Sequence, residues 1–397
     1  MLNGAHSVGR FDVAGAGAVK SMRIALSANF VKPGRVGGVE QAFYNLALGL
    51  LDCGADVTIV AATPSRLPEA ARSSLISQGA KIEYVGGLEN RFLAEEYFAA
   101  SCRGGFDATI FPNYYLPLAT NSRLGKKIVI IHDLQHLHYP NNFSLKKKLW
   151  LRYNLARSLN GSDAVVCISD ATHRDIQTHY TGLNSPLVTI HNAVDWSRFD
   201  VAPGDRAEGF DGPYILSVAH HFPHKNLETL ISATAKLARN FPNLRLVLVG
   251  QASTKLGSGN YTGELKAIIN ELGVDDIVKF TGHIDDATLG SLYRSASVFC
   301  FPSLFEGFGL PPVEAMGLGT STIVSDIAAL REVTLGRAKY VSDPLSVDEW
   351  VEQIHAVLSG PRSLVGSTSI AETIREAYSR RAIAEKYLEL IHALVVR

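Results

Sequence analysis

Short apolar runs recur along this chain, separated by longer segments with apolar residues at helical spacing, and the alternation predicts parallel sheets covered by helices. In the first half the strand-like runs fall at 23–28, 56–61, 81–85, 108–111, 127–131, 164–168 and 187–190. The pattern breaks over 192–212, where Pro203, Gly204, Gly209 and Gly212 interrupt any period. A second series follows at 214–218, 244–249, 277–281, 298–301, 322–325 and 339–341, with helices predicted over 226–239, 263–271, 287–296 and 347–358. A charged amphipathic helix is predicted over about 370–394. The expected fold class is α/β, with two Rossmann-like doubly wound domains. We expect a disordered tail over 1–21, a first domain over 22–195, a linker over 196–212, a second domain over 213–375 and a last helix over 376–397. Open α/β sheets bind ligands at their carboxyl edges, so two of them would face a shared cleft.

Composition narrows the function classes. At 397 residues the chain is too long for one ordinary core. Lys+Arg and Asp+Glu both number 38, so no global charge points to nucleic acid. Cys53, Cys102, Cys167 and Cys300 are scattered without paired spacing, which predicts a reducing, cytoplasmic setting and no disulfide framework or Cys-based zinc site. No apolar stretch reaches membrane-spanning length. Residues 1–21 lack a basic start followed by a strong apolar core, so no signal peptide is expected.

The densest chemistry lies at Phe305-Glu306-Gly307-Phe308-Gly309-Leu310-Pro311-Pro312-Val313-Glu314-Ala315-Met316, directly after the strand-like run 297–301. Pro311 and Pro312 fit a first helical turn, where their missing N–H groups cost little. Free backbone donors then come from Gly307, Phe308, Gly309 and Leu310, and a helix N-terminus behind them suits a diphosphate. Glu306 on the loop and Glu314 one turn into the helix can both face one cleft. Carboxylates beside a phosphate make sense when they hold neutral hydroxyls, as on a sugar or ribose. Taken alone, the two glutamates read as readily as a dipole-stabilising helix carboxylate and a solvated loop residue. The whole run is more specific: it resembles the signature of the retaining family-four glycosyltransferases, which have the GT-B fold. That resemblance extends from about Met22 to the C-terminus and implies a final helix crossing back to the first domain.

Further segments fit it. Gly37-Gly38-Val39-Glu40 stands between the first strand and an apolar helix, and resembles the family's Gly-Gly-x-Glu loop, close to the donor phosphate and the acceptor. Gly37 and Gly38 are therefore candidate donor-binding residues. The segment from Ser217 to Asn226 contains Lys225 just before a helix, where a point charge would serve a diphosphate or merely be solvated. Similar family members carry a Lys here and often an Arg five positions upstream, where this chain has His220. The departure predicts that leaving-group stabilisation depends on protonation of His220 or His224. The triplet His220, His221 and His224 lacks a neighbouring Cys or carboxylate, so a metal site is not expected there. His132-Asp133 ends an apolar strand. The pair reads as a strand cap or as chemistry at a carboxyl edge. In similar family members a His here faces the donor sugar, which makes His132 a candidate catalytic residue. Asp133 and Glu40 are candidates for the acceptor side. His136, His138, Tyr139 and Pro140 are reminiscent of a mannosyltransferase-like branch. The following helix holds Lys146, Lys147, Lys148, Trp150, Arg152, Tyr153 and Arg157; it reads equally as a solvated helix or as a dock for an anionic membrane or a lipid-diphosphate acceptor. His191-Asn192-Ala193-Val194-Asp195 resembles the family's Asn-Gly-Val-Asp segment and is read as structural.

The resemblance implies transfer of a hexose from a nucleotide-diphosphate sugar with retention at the anomeric carbon. It leans toward GDP-mannose as donor and a saccharide or lipid-linked saccharide as acceptor, in surface-polysaccharide assembly, at the cytoplasm or the inner face of its membrane. Glu306, His132 and Lys225 are the candidate catalytic residues. No Asp-x-Asp motif occurs, so no metal cofactor is expected. A GT-B epimerase or phosphorylase, or a non-catalytic nucleotide-sugar-binding module, is the alternative. A dinucleotide oxidoreductase is disfavoured, because no Gly-x-Gly-x-x-Gly follows the strands at 23–28 or 214–218.

Overall fold

The computed structural model describes residues 21–32, 37–200, 212–251, 260–360 and 364–396. The expected tail, apart from Ser21, and residues 201–211 of the expected linker lie outside them. Seven parallel strands form the first sheet: β1 (Arg23–Ser27), β2 (Asp56–Ala61), β3 (Lys81–Tyr84), β4 (Ala108–Phe111), β5 (Lys126–Ile131), β6 (Ala164–Cys167) and β7 (Leu187–Thr189), ordered β3-β2-β1-β4-β5-β6-β7. Six more form the second: β8 (Tyr214–Val218), β9 (Arg245–Val249), β10 (Val278–Gly282), β11 (Val298–Phe301), β12 (Thr322–Ser325) and β13 (Lys339–Val341), ordered β10-β9-β8-β11-β12-β13. Helices cover both faces, which is why strands such as Ala164–Cys167 and Val298–Phe301 are apolar and buried along their whole length. In each sheet the strand order reverses beside the first strand, at β1/β4 and at β8/β11. These are the switch points where loops diverge and leave a crevice.

Two departures from the sequence reading bear on the cleft. The predicted helix over 370–394 is two helices, Leu364–Ala377 and Arg380–Val395. Ser379 interrupts them because its hydroxyl caps the second helix by accepting from the Ala382 N–H. The Tyr378 carbonyl is also taken by the Val194 N–H at 2.8 Å. The chain thus leaves and re-enters the first domain side by side. In addition, the start of the expected linker is ordered: Trp196–Phe199 forms a short 3₁₀ turn on the second domain. Gly317 lies under the Trp196 ring, and Phe199 packs edge-on to Tyr293.

The helix Arg380–Val395 lies against the first-domain helix Gly38–Asp52, whose N-terminus borders the cleft. Their contact is close at Gly49, where a Cβ would stand 2.5 Å from the Arg380 carbonyl oxygen. A Gly49→Ala variant is therefore expected to lose about 1–3 kcal/mol, the cost of overpacking. Thermal unfolding would show it as a lowered Tm, and an unchanged Tm would mean that the two helices separate freely.

Candidate functional site

The second-domain wall of the cleft is built at the end of β11. The loop after Phe301 leads into the helix Leu310–Gly317, with Pro311 and Pro312 in its first turn. Gly309 precedes the helix at φ 104°, a conformation closed to ordinary side chains, and a Cβ there would meet Leu330 at 2.6 Å. The N–H groups of Phe308, Gly309 and Leu310 have no hydrogen-bond partner among the described residues. Together with the helix N-terminus they form a cradle of donors suited to an anion. Lys225, in the 3₁₀ turn Pro223–Lys225 after β8, reaches across to Glu306, with Nζ 2.5 Å from Oε1. Both side chains are largely buried, at 15% and 12% exposure.

Glu314 sits deeper, only 5% exposed. Burial raises its carboxyl above the ordinary range, and the Arg198 guanidinium opposes that shift. Its Oε1 accepts from Arg198 Nη1 at 3.3 Å and its Oε2 from the Tyr293 hydroxyl at 2.9 Å. Arg198 also pairs with Asp286 at 2.7 Å and lies 4.6 Å over the Phe199 ring. The Tyr293 phenol, fully buried beside that carboxylate, is held well above its ordinary value.

The first domain supplies the facing wall. His132, at the end of β5, is held by a 2.7 Å contact from Nε2 to the Pro112 carbonyl. Burial lowers its pKa, with the Pro112 carbonyl and Asp133 opposing, so the ring is neutral near pH 7. A proton on Nε2 leaves Nδ1 as the acceptor. Asp133 is exposed and accepts from the Gln135 N–H at 2.9 Å. Gly37, at φ 60°, and Gly38 begin the helix opposite. A Cβ on Gly37 would stand 2.9 Å from His220 Nε2, and one on Gly38 3.4 Å from Leu310. The closest approach is at Gly307, where a Cβ would stand 1.9 Å from the His132 carbonyl oxygen. Ser169 Oγ donates to the Gly307 carbonyl at 2.6 Å. Glu332 of the second domain accepts from the Asp170 N–H, the Ala171 N–H and His191 Nε2 at 2.7, 3.1 and 2.7 Å. The walls enclose about 390 Å³, lined by every residue named above as facing it, including Lys225, Glu306, Glu314, Arg198, His132 and His220.

Known proteins resemble this chain in sequence and in fold. The family described as Glycosyl transferases group 1 matches residues 204–379, and Glycosyltransferase Family 4 matches residues 36–198. The chain belongs to the group 1 glycosyltransferases, with the GT-B architecture. Over 252 residues this glycosyltransferase is 28% identical to the O-antigen chain mannosyltransferase RfbU of Salmonella typhimurium, covering 64% of the chain and 65% of the relative. Over 238 residues it is 31% identical to the MMP alpha-(1->4)-mannosyltransferase of Mycolicibacterium hassiacum, covering 59% and 54%. The match thus spans less than two thirds of either relative. In fold it is similar to Anabaena Alr3699/HepE in complex with UDP and glucose, at TM-score 0.73 and 18% identity over 94% of this chain and all of that one. It is also similar to the sucrose-phosphate synthase of Thermosynechococcus elongatus, at TM-score 0.74 and 20% identity over 95% and 100%.

The glycosyltransferase brings Gly37, Gly38, His132, Asp133, His220, Lys225, Glu306, Gly307, Phe308, Gly309, Leu310 and Glu314 to this one cavity. Glu40 does not join them. It is buried in the first turn of its helix, its carboxylate 3.4 Å from the Tyr44 hydroxyl, and it is not among the lining residues. The expected protonation of His220 or His224 is corrected. Burial first, and Lys225 second, lower both, His224 to about 3, so neither is a cation near neutral pH. His224 is also stacked on Phe222, 5.6 Å between ring centroids, and does not line the cavity. His221 turns to Thr262 and Phe280, so the three histidines do not converge. No group of three His, Cys, Asp or Glu among the described residues could hold a metal ion. Arg198, Asp286 and Tyr293 escaped the sequence reading. Arg198 stands three residues beyond Asp195, in the stretch expected to be the interdomain linker.

Arg198 opposes the upward shift that burial imposes on the Glu314 carboxyl. Arg198→Met should cost about 3–5 kcal/mol at neutral pH by leaving Glu314 uncompensated. Without the guanidinium the folded-state pKa of Glu314 rises further, so the folded state favours the protonated form. The penalty is then largest above that pKa and shrinks as pH falls toward the unfolded carboxyl range. Thermal unfolding of both proteins across pH 4–8 checks this, and a pH-independent difference would contradict it.

Proposed function

We propose that the enzyme transfers a hexose from a nucleotide-diphosphate sugar to a saccharide acceptor, with retention and without a metal ion. The observation that carries this reading is the Lys225–Glu306 pair set beside the unpartnered amides of Phe308, Gly309 and Leu310, facing His132 across one cleft. A diphosphate in the cradle would meet the Lys225 ammonium, the amides and the helix N-terminus, all fixed before the reaction and aimed where negative charge grows. Glu306, next to that cation, would accept from sugar hydroxyls. Glu314 spends one lone pair on Arg198 and one on Tyr293, so it keeps sites free for the ribose hydroxyls. Neutral His132 would accept from the sugar through Nδ1.

In the transfer step, the bond from the anomeric carbon to the diphosphate oxygen breaks and a bond to the acceptor oxygen forms on the same face. The acceptor hydroxyl's proton passes to the departing diphosphate. Charge on the leaving group is met by Lys225 and the amides, the role a divalent metal would otherwise fill. Mannose is the favoured hexose, since several relatives at 28–33% identity are named mannosyltransferases, and GDP is the carrier that the sequence resemblance favours. Among them the Salmonella protein's name places it in O-antigen chain assembly, and surface-polysaccharide assembly at the cytoplasmic face is the setting we favour here. Among the described residues no helix is long and apolar enough to cross a membrane. Peripheral contact would run through the helix Leu145–Gly161, where Leu145, Leu149 and Tyr153 are exposed among Lys146, Lys148 and Arg152.

Metal-free calorimetric titration with GDP, UDP, ADP and dTDP tests the donor site. One nucleotide should bind, and Lys225→Ala should weaken it about 10–100-fold, the loss of one charge-assisted contact of about 1.5–3 kcal/mol. Glu306→Ala should abolish transfer while its thermal unfolding stays cooperative. Near-normal turnover in Glu306→Ala, or unchanged affinity in Lys225→Ala, would contradict the assignment.

A further inference from the structure

The cleft continues into a second cavity of about 190 Å³ in the first domain, and the two share Val39, His132 and Asp133. Sites for drug-sized ligands run to about 300–1,000 Å³, so this one suits a unit of monosaccharide size. Three independent features mark it as a built site. His136 lines it at 8% exposure, and its Nε2 has no partner among the described residues. A buried nitrogen left unpaired costs about 1–3 kcal/mol, a cost that a ligand hydroxyl would remove. Tyr114, also in the wall, has φ 38°, an outlier for a bulky side chain. It is held there by three bonds: its N–H donates to the Ile130 carbonyl at 3.0 Å, its carbonyl accepts from Ser158 at 2.9 Å and its hydroxyl accepts from Arg91 at 3.0 Å. Backbone strain maintained by surrounding bonds is a pointer to function.

The third feature is charge. Lys147 lines the cavity, its ammonium 4.7 Å over the Phe143 ring, and burial first and Arg91 second lower its pKa. Among the described residues neither cation has a carboxylate within ion-pair distance, since the salt bridges formed elsewhere leave both out. Glu95, on the same helix as Arg91, is buried, accepts from Ser27 at 2.5 Å, and is pushed up to about 7 by desolvation. Asp133 stands on the wall shared with the donor cleft and accepts from the Gln135 N–H. The cavity therefore carries uncompensated positive charge at its Lys147 wall and polar acceptors at its cleft wall.

We propose that this cavity is the acceptor subsite and that the acceptor it takes bears a phosphate group. The sugar would lie between Tyr114 and Phe143, with its reacting hydroxyl toward His132 and Asp133 and its phosphate on Lys147 and Arg91. The word acceptor rests on the transfer reading above; the preference for a phosphate does not. Such a phosphate belongs either to a soluble sugar phosphate or to a lipid-linked sugar, and the cavity chemistry is common to both.

The test is calorimetric titration of the full chain with three probes: octyl α-mannoside, mannose 1-phosphate and octyl mannosyl phosphate. Wild type should bind the phosphate-bearing octyl probe at least tenfold tighter than the neutral one. That advantage should vanish in Lys147→Gln, return in Lys147→Arg, and persist in Lys225→Ala. Equal affinity for mannose 1-phosphate and octyl mannosyl phosphate assigns the site to a soluble acceptor, and a further gain from the chain assigns it to a lipid-linked one. Equal binding of neutral and phosphate probes, or no binding of any phosphate probe, overturns the proposal. So does an advantage lost in Lys225→Ala and kept in Lys147→Gln, because the phosphate would then sit in the donor cleft. The nucleotide titrations read the donor site separately, so a failure there is distinguishable from a failure here.

Discussion

The contact between Gly307 and the end of β5 governs the geometry of this enzyme. No side chain fits between the Gly307 Cα and the His132 carbonyl oxygen, so the loop that carries Glu306 and the anion cradle lies against the strand that carries His132. Ser169 fixes the Gly307 carbonyl, and Glu332 ties the second domain to the N-terminus of the helix Asp170–His179. A carboxylate at a helix N-terminus is favourable both as a hydrogen-bond acceptor and against the helix dipole. The two walls of the cleft are thereby held together, and the chain crosses between the domains where the Val194 N–H bonds the Tyr378 carbonyl.

Electrostatics inside the cleft follow from burial. Lys225 and Glu306 neutralise each other in a site where an isolated charge would be costly. Burial first, and the Lys225 ammonium second, suppress protonation of His220 and His224, so Lys225 stands beside neutral imidazoles. Arg198 is different: it is engaged by Glu314 and Asp286 and serves to hold a carboxylate in place. On the proposed reading, charge for the leaving group and acceptors for hydroxyls thus occupy different parts of the cleft.

Much of this was legible in the sequence. The strands of both sheets were predicted to within about a residue or two, because parallel strands buried on both faces are continuous apolar runs. The Glu306–Glu314 segment was legible because Gly309 and the two prolines each have a local backbone reason. What stayed hidden was set by tertiary contact. Arg198 and Glu314 are 116 residues apart, and nothing local to either names the other. The break before Arg380 depends on Val194 binding the Tyr378 carbonyl, which no helical periodicity reveals. The histidines were misjudged because their protonation depends on desolvation by residues from other elements. Glu40 was placed near the acceptor by its position in a motif, whereas helix geometry turns it toward Tyr44, one turn on.

The central claim is that the amides of Phe308, Gly309 and Leu310, with Lys225, receive the donor diphosphate. Its most direct test is the amide ¹⁵N–¹H spectrum of the protein during metal-free addition of a nucleoside diphosphate, with the nucleoside alone as control. The account predicts large, saturable shifts at Phe308, Gly309 and Leu310 that require the diphosphate. Saturable binding that leaves those three amides unmoved, or shifts that the nucleoside reproduces, would contradict it.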